Sequence, residues 1–354
     1  MLSSPVVFLG RFPLYTGLLR ARSGESYGGQ TKTERSIIWH VDYPELSVRL
    51  NHIRDFMAIV DAGSIRAAAR NLAVTQPALT KSMRQLESEL GAVLLTRSVR
   101  GVRPTEFGRA FLVRARAITV ELRRAREEID QLRGGRAGTL AVGSAPGPAL
   151  ELLPAALARL RKRWREAQVC VTDISPSEVL PALREGRLDA ALSVRIGPLA
   201  EPGPGCIVEP LYRNEARIVA RRGHPLGAAR SLAELAGAEW VRTGGTDNTS
   251  LLPAAFRAAG IEPPRYRIEC RSFFALAEII AQSDLLAVVP WQLAARETAV
   301  GRVVELPVSG ALPAREICLF TRADVPLTPI AREFVEVLRD AARRVGPTAG
   351  IPVS

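Results

Sequence analysis

Cysteine is scarce: four in 354 residues, at positions 170, 206, 270 and 318, too few for a disulfide framework. They lie 36, 64 and 48 residues apart with no C-x-x-C pair. That spacing argues against zinc and leaves buried structural thiols as the expectation. Histidine is scarcer still. His40, His52 and His224 are too scattered for a hydrolytic triad or a metal cluster. No Gly-rich phosphate loop is present. The longest apolar runs, such as residues 285–291, fall far short of the roughly 20 residues that span a bilayer. These absences together point away from an enzyme, a cofactor protein and a membrane protein.

Lysine is also nearly missing. Lys32, Lys81 and Lys162 are the only three among 48 basic residues. A bias to arginine and alanine of this size fits genomic base composition. It explains why the basic residues are arginine, but not where they sit. The net charge is +12, and residues 49–136 hold 17 basic against 9 acidic residues, or +8. Residues 1–48 carry +1 and residues 137–354 carry +3. Two thirds of the excess falls in one quarter of the chain, which is the footprint of an acidic partner such as nucleic acid. With 47% hydrophobic and 24% charged residues the chain reads as globular, and its length suits two or three domains.

Residues 1–47 are rich in Gly, Ser, Thr and Arg and show no sustained period. The apolar stretch 5–10 is short, follows no positive residue and runs directly into Arg11, so a signal peptide is not expected. The segment reads as a disordered extension or a start assigned too early, with Val41 or Val48 compatible internal starts.

From Leu50 the pattern becomes dense. Leu50, Ile53, Met57 and Val60 recur at helical spacing up to Gly63. Ser64 can cap a second, short helix, and Ala73-Val74 make a tight connection. Thr75 can cap a third helix that tolerates Pro77 in its first turn and is ended by Gly91. Its buried stripe is predicted as Leu79, Met83, Leu86 and Leu90. Two helices joined by so tight a turn read as helix-turn-helix. Arg97, Arg100 and Arg103 then surround a Gly turn, as in a wing of two short strands. Thr105-Glu106 opens a long helix with apolar residues at 107, 111, 115, 118, 122, 125, 129 and 132, close to a 3.5-residue repeat. An intermolecular coiled coil is the favoured reading; packing against its own domain is the alternative. Residues 134–138 form a hinge, after which strands and helices alternate with short loops, predicting a parallel α/β arrangement.

These blocks resemble one family. Leu50-Asn51-His52-Ile53-Arg54-Asp55-Phe56, Gly63-Ser64 followed by Ala67-Ala68-Ala69, Thr75-Gln76-Pro77-Ala78-Leu79, Leu86-Glu87-Ser88-Glu89-Leu90-Gly91 and Gly101-Val102-Arg103-Pro104-Thr105-Glu106-Phe107-Gly108 look like the reader domain of LysR-type transcriptional regulators. Leu183-Arg184-Glu185-Gly186-Arg187-Leu188-Asp189 and Gly223-His224-Pro225-Leu226 resemble signatures of its effector domain. Ile65-Arg66, Leu94-Leu95-Thr96-Arg97 and Ser283-Asp284 depart from the usual pattern and leave the ligand open. The resemblance implies a winged helix-turn-helix over 48–108, a linker and dimerisation helix over 105–136, and a two-lobed, periplasmic-binding-protein-like α/β effector domain over 137–345. Lobe I would span about 137–208 and 312–345, and lobe II about 209–311.

The third helix is expected to enter the major groove, with Thr75, Gln76, Ala78 and Lys81 facing away from the apolar stripe and Pro77 beside them. Glutamine can pair bidentately with adenine, and alanine and threonine methyls can touch thymine. Ser64, Arg66, Arg70, Arg97, Arg100 and Arg103 complete the expected DNA contacts, the arginines at phosphate or in the minor groove. Helix starts near Ser144, Ser175 with Ser177, and residues 243–249 offer backbone N–H groups to an anion. By resemblance Ser144, Ser175, Thr243 and Thr246 line the cleft, with Phe273 a stacking wall; the alternative is that they are caps and turns. The implied protein is a cytoplasmic regulator of promoter DNA, modulated by a small molecule of the organic-acid class. The resemblance also implies a homodimer through the linker helix, a tetramer and contact with RNA polymerase. A periplasmic-type solute-binding protein would account for residues 139–345 only. A nucleoid-type DNA-binding protein would account for the basic segment only.

Overall fold

The computed structural model describes residues 48–98, 101–195, 205–243, 251–308 and 312–345. The expected extension 1–47 lies outside the described residues.

Three helices open the fold: α1 (Leu50–Ala62), α2 (Ile65–Asn71) and α3 (Gln76–Leu90). Their limits follow from local chemistry. Gly63 and Gly91 adopt left-handed backbone and end α1 and α3, while Ser64 and Thr75 accept from the N–H groups of Ala67 and Ala78. The turn between α2 and α3 needs a left-handed residue at Ala73, with φ of 53°. Leu79, Met83 and Leu86 pack with Ile53, Phe56, Ile59 and Ala68 into one core. Leu90, the last residue of α3, does not join it and is 38% exposed, whereas Leu94 beyond the helix end does. Strands β1 (Leu95–Ser98) and β2 (Gly101–Pro104) pair antiparallel as the wing, and Val102 N–H donates to Gly63 O at 2.9 Å.

Helix α4 (Glu106–Leu132) is 27 residues long. Its first half belongs to the reader domain: Ala115 is buried there and Phe111 meets Phe56 edge-to-face at 5.3 Å. Phe107 (65% exposed), Ile118, Leu122, Ile129 and Leu132 (74%) remain on the surface. The predicted eight-residue stripe is therefore divided between the chain's own core and an open face.

Lobe I is a five-stranded mixed sheet in the order β4-β3-β5-β12-β6, formed by β3 (Thr139–Ser144), β4 (Gln168–Asp173), β5 (Ala190–Val194), β6 (Cys206–Asn214) and β12 (Arg315–Arg322). β3 is parallel to β4 and β5, as the alternation of strands and helices after the hinge predicts, whereas β12 is antiparallel to β5 and β6. α5 (Pro146–Glu151), α6 (Leu153–Leu160) and α11 (Pro329–Arg344) cover one face, and α7 (Pro176–Arg184) the other. α5 and α6 are separated at Leu152, where Pro154 suits the first turn of a new helix.

Lobe II contains β7 (Ala216–Arg221), β8 (Glu239–Thr243), α8 (Leu251–Ala258), β9 (Arg265–Cys270), α9 (Phe273–Ala281), β10 (Ala287–Pro290), α10 (Trp291–Ala299) and β11 (Val303–Glu305). β10 and β11 flank β7 antiparallel, and a parallel β8–β9 pair joins at Trp240–Leu286. The crossover expected near residue 208 falls after Asn214. β6 was not apparent in the sequence because Pro210 interrupts it. As an edge strand with a register shift opposite Pro210, it tolerates the missing N–H.

Candidate nucleic-acid interface and ligand cleft

The start of α3 is open to solvent. Thr75, Gln76, Pro77, Ala78 and Lys81 are all exposed; Pro77, Ala78 and Lys81 lie across the helix from the Leu79–Met83–Leu86 stripe, whereas Gln76, in line with that stripe, is exposed because it stands at the helix start beyond the core. Arg66, Arg70 and Arg103 are exposed too, and among the described residues none of these three, nor Lys81, pairs with a carboxylate. Ser64 is half-buried and spends its hydroxyl on the cap of α2. The Arg97 side chain and Arg100 lie outside the described residues. The reader domain thus combines a polar, exposed helix start with exposed cations that have no carboxylate partner among the described residues.

Two buried or half-buried acids set the pose of that helix, and sequence reasoning missed both. Asp55 on α1, 7% exposed, accepts from Ser82 Oγ at 2.6 Å and from Arg54. Glu87 Oε1 accepts from the N–H groups of Leu94 and Leu95 at 2.8 and 3.2 Å, fixing the wing to α3. A carboxylate two residues from Ile53 on a helix face was the available signal, since a buried charge requires a partner.

Between the lobes lies a cavity of about 250 Å³ at the carboxyl ends of β3, β4 and β5, where an α/β sheet presents helix starts to a ligand. Ser175, Thr243 and Phe273 line it as expected. Ser144 does not: it is fully buried, donates to Ala145 O at 2.9 Å, and Ala145 holds the lining position. Strand alternation turns Ser144 inward. Ser177 is exposed and outside the cavity, bonded to Ser175 Oγ at 3.2 Å. Thr246 lies outside the described residues. Thr243 already donates to Val288 O at 3.2 Å.

Sequence reasoning missed most of the wall. Ile174, Val194, Leu251, Leu252, Val288 and Ile317 make it largely apolar, while Arg271, Arg315, Asp173 and Glu215 bring both charge signs. Burial holds the Arg315 guanidinium below the ordinary arginine range. The start of α7 is not a free anion site, because Glu178 Oε2 accepts from both the Ser175 hydroxyl (2.6 Å) and its N–H (2.9 Å). Those bonds, with Arg271 adding to them, hold the Glu178 carboxyl at about 2 against an ordinary 4.5. Arg271 of lobe II reaches Glu178 of lobe I at 3.0 Å, a bridge across the cleft. At the hinge Gln292 donates to Asn214 Oδ1 at 3.0 Å and also to Glu151.

The four thiols divide: Cys206 and Cys318 are buried on neighbouring strands, whereas Cys170 is exposed and Cys270 half-buried, which corrects the expectation for those two. Burial pushes Cys318 up to about 12. Among the described residues no helix is long and apolar enough to cross a membrane, and no cluster of metal-ligating side chains occurs.

Residues 50–109 match the family model described as bacterial regulatory helix-turn-helix protein, lysR family, and residues 133–343 match the LysR substrate binding domain. The HTH-type transcriptional regulator GbpR of Azospirillum brasilense is 30% identical over 302 residues, covering 83% of this chain and 87% of that protein. The SDS degradation transcriptional activation protein of a Pseudomonas strain is 30% identical over 305 residues, covering 85% and 98%. The crystal structure of CbnR, a LysR family transcriptional regulator, aligns with a TM-score of 0.63 at 24% identity, covering 83% of this chain and 99% of that one.

Proposed function

The chain belongs to the LysR family of bacterial transcriptional regulators, and from that premise we propose which of its residues read DNA and what its cleft receives. It is a sequence-specific DNA-binding regulator. The solute-binding alternative leaves the helix-turn-helix match unexplained. Gln76 reads a base edge, with Thr75 and Ala78 offering methyl contacts. Lys81, Arg66, Arg70 and Arg103 hold phosphates. The observation that carries this reading is the exposed, polar start of α3 together with exposed cations that have no carboxylate partner among the described residues.

The cleft receives a small molecule of the organic-acid class, with its anionic end toward Arg271 and its apolar body against Phe273, Leu251 and Leu252. The apolar face left on α4 seats the same face of a second copy, and two such dimers form a tetramer on adjacent half-sites. The protein acts inside the cell, on promoter DNA alongside RNA polymerase.

A gel shift on the duplex upstream of its own coding sequence, repeated at rising salt, tests the reading. Lys81→Ala should weaken binding to every duplex and flatten the salt slope by about one unit, for one lost phosphate contact. Gln76→Ala should instead cost about 1–3 kcal/mol on the cognate duplex and little on a scrambled one. Equal losses on both duplexes would remove Gln76 from the base readers.

A further inference from the structure

The second half of α4 does not hang free behind the reader domain. It is pinned along one face to lobe I of its own chain. Arg124, 9% exposed, sits at the centre of the contact. Its guanidinium meets Asp189 Oδ1 at 2.6 Å and Glu121 Oε1 at 2.7 Å, and donates to Gly186 O and Leu188 O at 3.2 Å each. Asp189 is in turn held by Ala141 N–H at 2.7 Å. Around this pair, Glu127 accepts from Thr139 N–H at 3.0 Å, Arg322 reaches Glu121 at 2.5 Å, and Gln131 Oε1 accepts from Ile330 N–H at 3.3 Å. Gly186, with a left-handed φ of 71°, lies close against the helix: a Cβ there would stand 3.0 Å from Val120 Cγ1.

The elements that meet α4 are the ones that build the cleft. β3 begins at Thr139, on Glu127, and ends beside the cleft-lining Ala145. β5 follows Asp189 and ends at Val194 in the cleft wall. α7 starts at the cleft with Pro176 and runs out to Gly186. β12 runs the other way, from Arg315 at the cleft to Arg322 at α4. Each strand is a stiff rod of roughly 20 Å, so a shift of lobe I at one end is delivered at the other.

We propose that Arg124, acting through Asp189, is the positioning residue of a joint that makes lobe I and the second half of α4 one body, so that the state of the cleft and the state of the DNA reader are coupled through it. The proposal rests on the cleft being the effector site. A hydrogen-bonded, nearly dry ion pair suits this role, because loss of either partner strands the other charge and the contact gives way as a unit.

Linkage is reciprocal, so DNA can serve as the probe in place of the effector. Hydrogen exchange is followed in the full-length protein, free and bound to the duplex from its own upstream region. In the free protein, Arg124→Met should speed exchange about tenfold in residues 118–132 and 186–190 and leave 50–71 unchanged. In the wild type, DNA should alter protection in cleft segments 144–148 and 173–178 by about threefold or more, a response Arg124→Met loses while still binding the duplex. Arg124→Lys, which keeps the charge, should restore part of that response, whereas a space-filling role would be served as well by methionine. Asp189→Asn retains an acceptor for Ala141 and repeats the test if Arg124→Met does not fold. Unchanged exchange in the free variants, a wild-type cleft indifferent to DNA, or a full response in Arg124→Met would each overturn the joint. Failure of the wild type to bind any duplex would instead overturn the DNA-binding reading, and the free-protein comparison would still decide the joint.

Discussion

Glu178 carries three duties with one carboxylate. It closes the capping box of α7 with Ser175, it occupies the N–H group that an effector anion was expected to use, and it bridges to Arg271 on the opposite lobe. The hydroxyl of Ser175 contributes most to holding its carboxyl at about 2, followed by the Ser175 N–H, with Arg271 weaker. Because the folded value lies below the ordinary 4.5, the stabilisation is complete above that value and is lost as pH falls from about 4.5 toward 2. The bridge is exposed, so its own worth is below about 1 kcal/mol. A carboxyl ¹³C titration should put the Glu178 midpoint near 2 in the wild type and nearer 4.5 in Ser175→Ala; a wild-type midpoint at 4.5 would dissolve the box. Caps of this kind were legible wherever the rule is local, as at Ser64 and Thr75. Which way a side chain faces at a strand end was not legible: Ser144 ends β3 just before the α5 cap at Ala145 and Ser175 caps α7, yet only Ser175 reaches the cavity.

Elements were legible where a period and a cap agree. α1, α2, α3, the wing and α4 lie where helical spacing and turn chemistry place them, and β3, β4, β5 and β12 of lobe I follow the alternation of strands and helices. β6 and α10 escaped because their stability comes from neighbours: β6 from the ladder to β12, and α10 from packing against α5 and β11. Close approach between elements is a further thing that periodicity omits. Gly108, in the first turn of α4, sits so near the wing base that a Cβ would stand 2.1 Å from Leu94 O. That oxygen also accepts from Thr105 N–H at 2.9 Å, so it cannot move without opening the junction of wing and helix. Gly108→Ala should therefore cost about 1–3 kcal/mol, all of it in the reader domain. Three of the four tryptophans, Trp164, Trp240 and Trp291, belong to the effector domain and none lies in residues 48–108, so thermal unfolding followed by tryptophan fluorescence should be unchanged. The temperature at which gel-shift activity disappears should fall. A loss in both measurements would mean that the two domains melt together.

At the scale of the molecule, α4 presents opposite faces to different neighbours. Arg124, Glu127 and Gln131 turn toward the chain's own lobe I, and Ile118, Leu122, Ile129 and Leu132 remain outside every core. Sequence periodicity registered the apolar face but could not see that polar residues anchor the other one, because a buried arginine and an exposed one look alike in a pattern. Apolar residues aligned on one long helix form a seam that an operator-binding dimer needs and a monomer does not. Leu122 is 38% and Ile129 51% exposed, so pairing still has about half of each side chain to bury. At about 1.5–3 kcal/mol for a fully buried aliphatic side chain, four such halves across a two-fold seam contribute about 3–6 kcal/mol. The double substitution Leu122→Lys, Ile129→Lys removes that and sets like charges face to face, which should weaken self-association more than a hundredfold. Sedimentation at micromolar concentration should then show a monomer with normal effector-domain fluorescence. Operator binding should fall to the weak, salt-sensitive affinity of a single reader domain. An unchanged oligomer in the double variant would place the association elsewhere on the molecule.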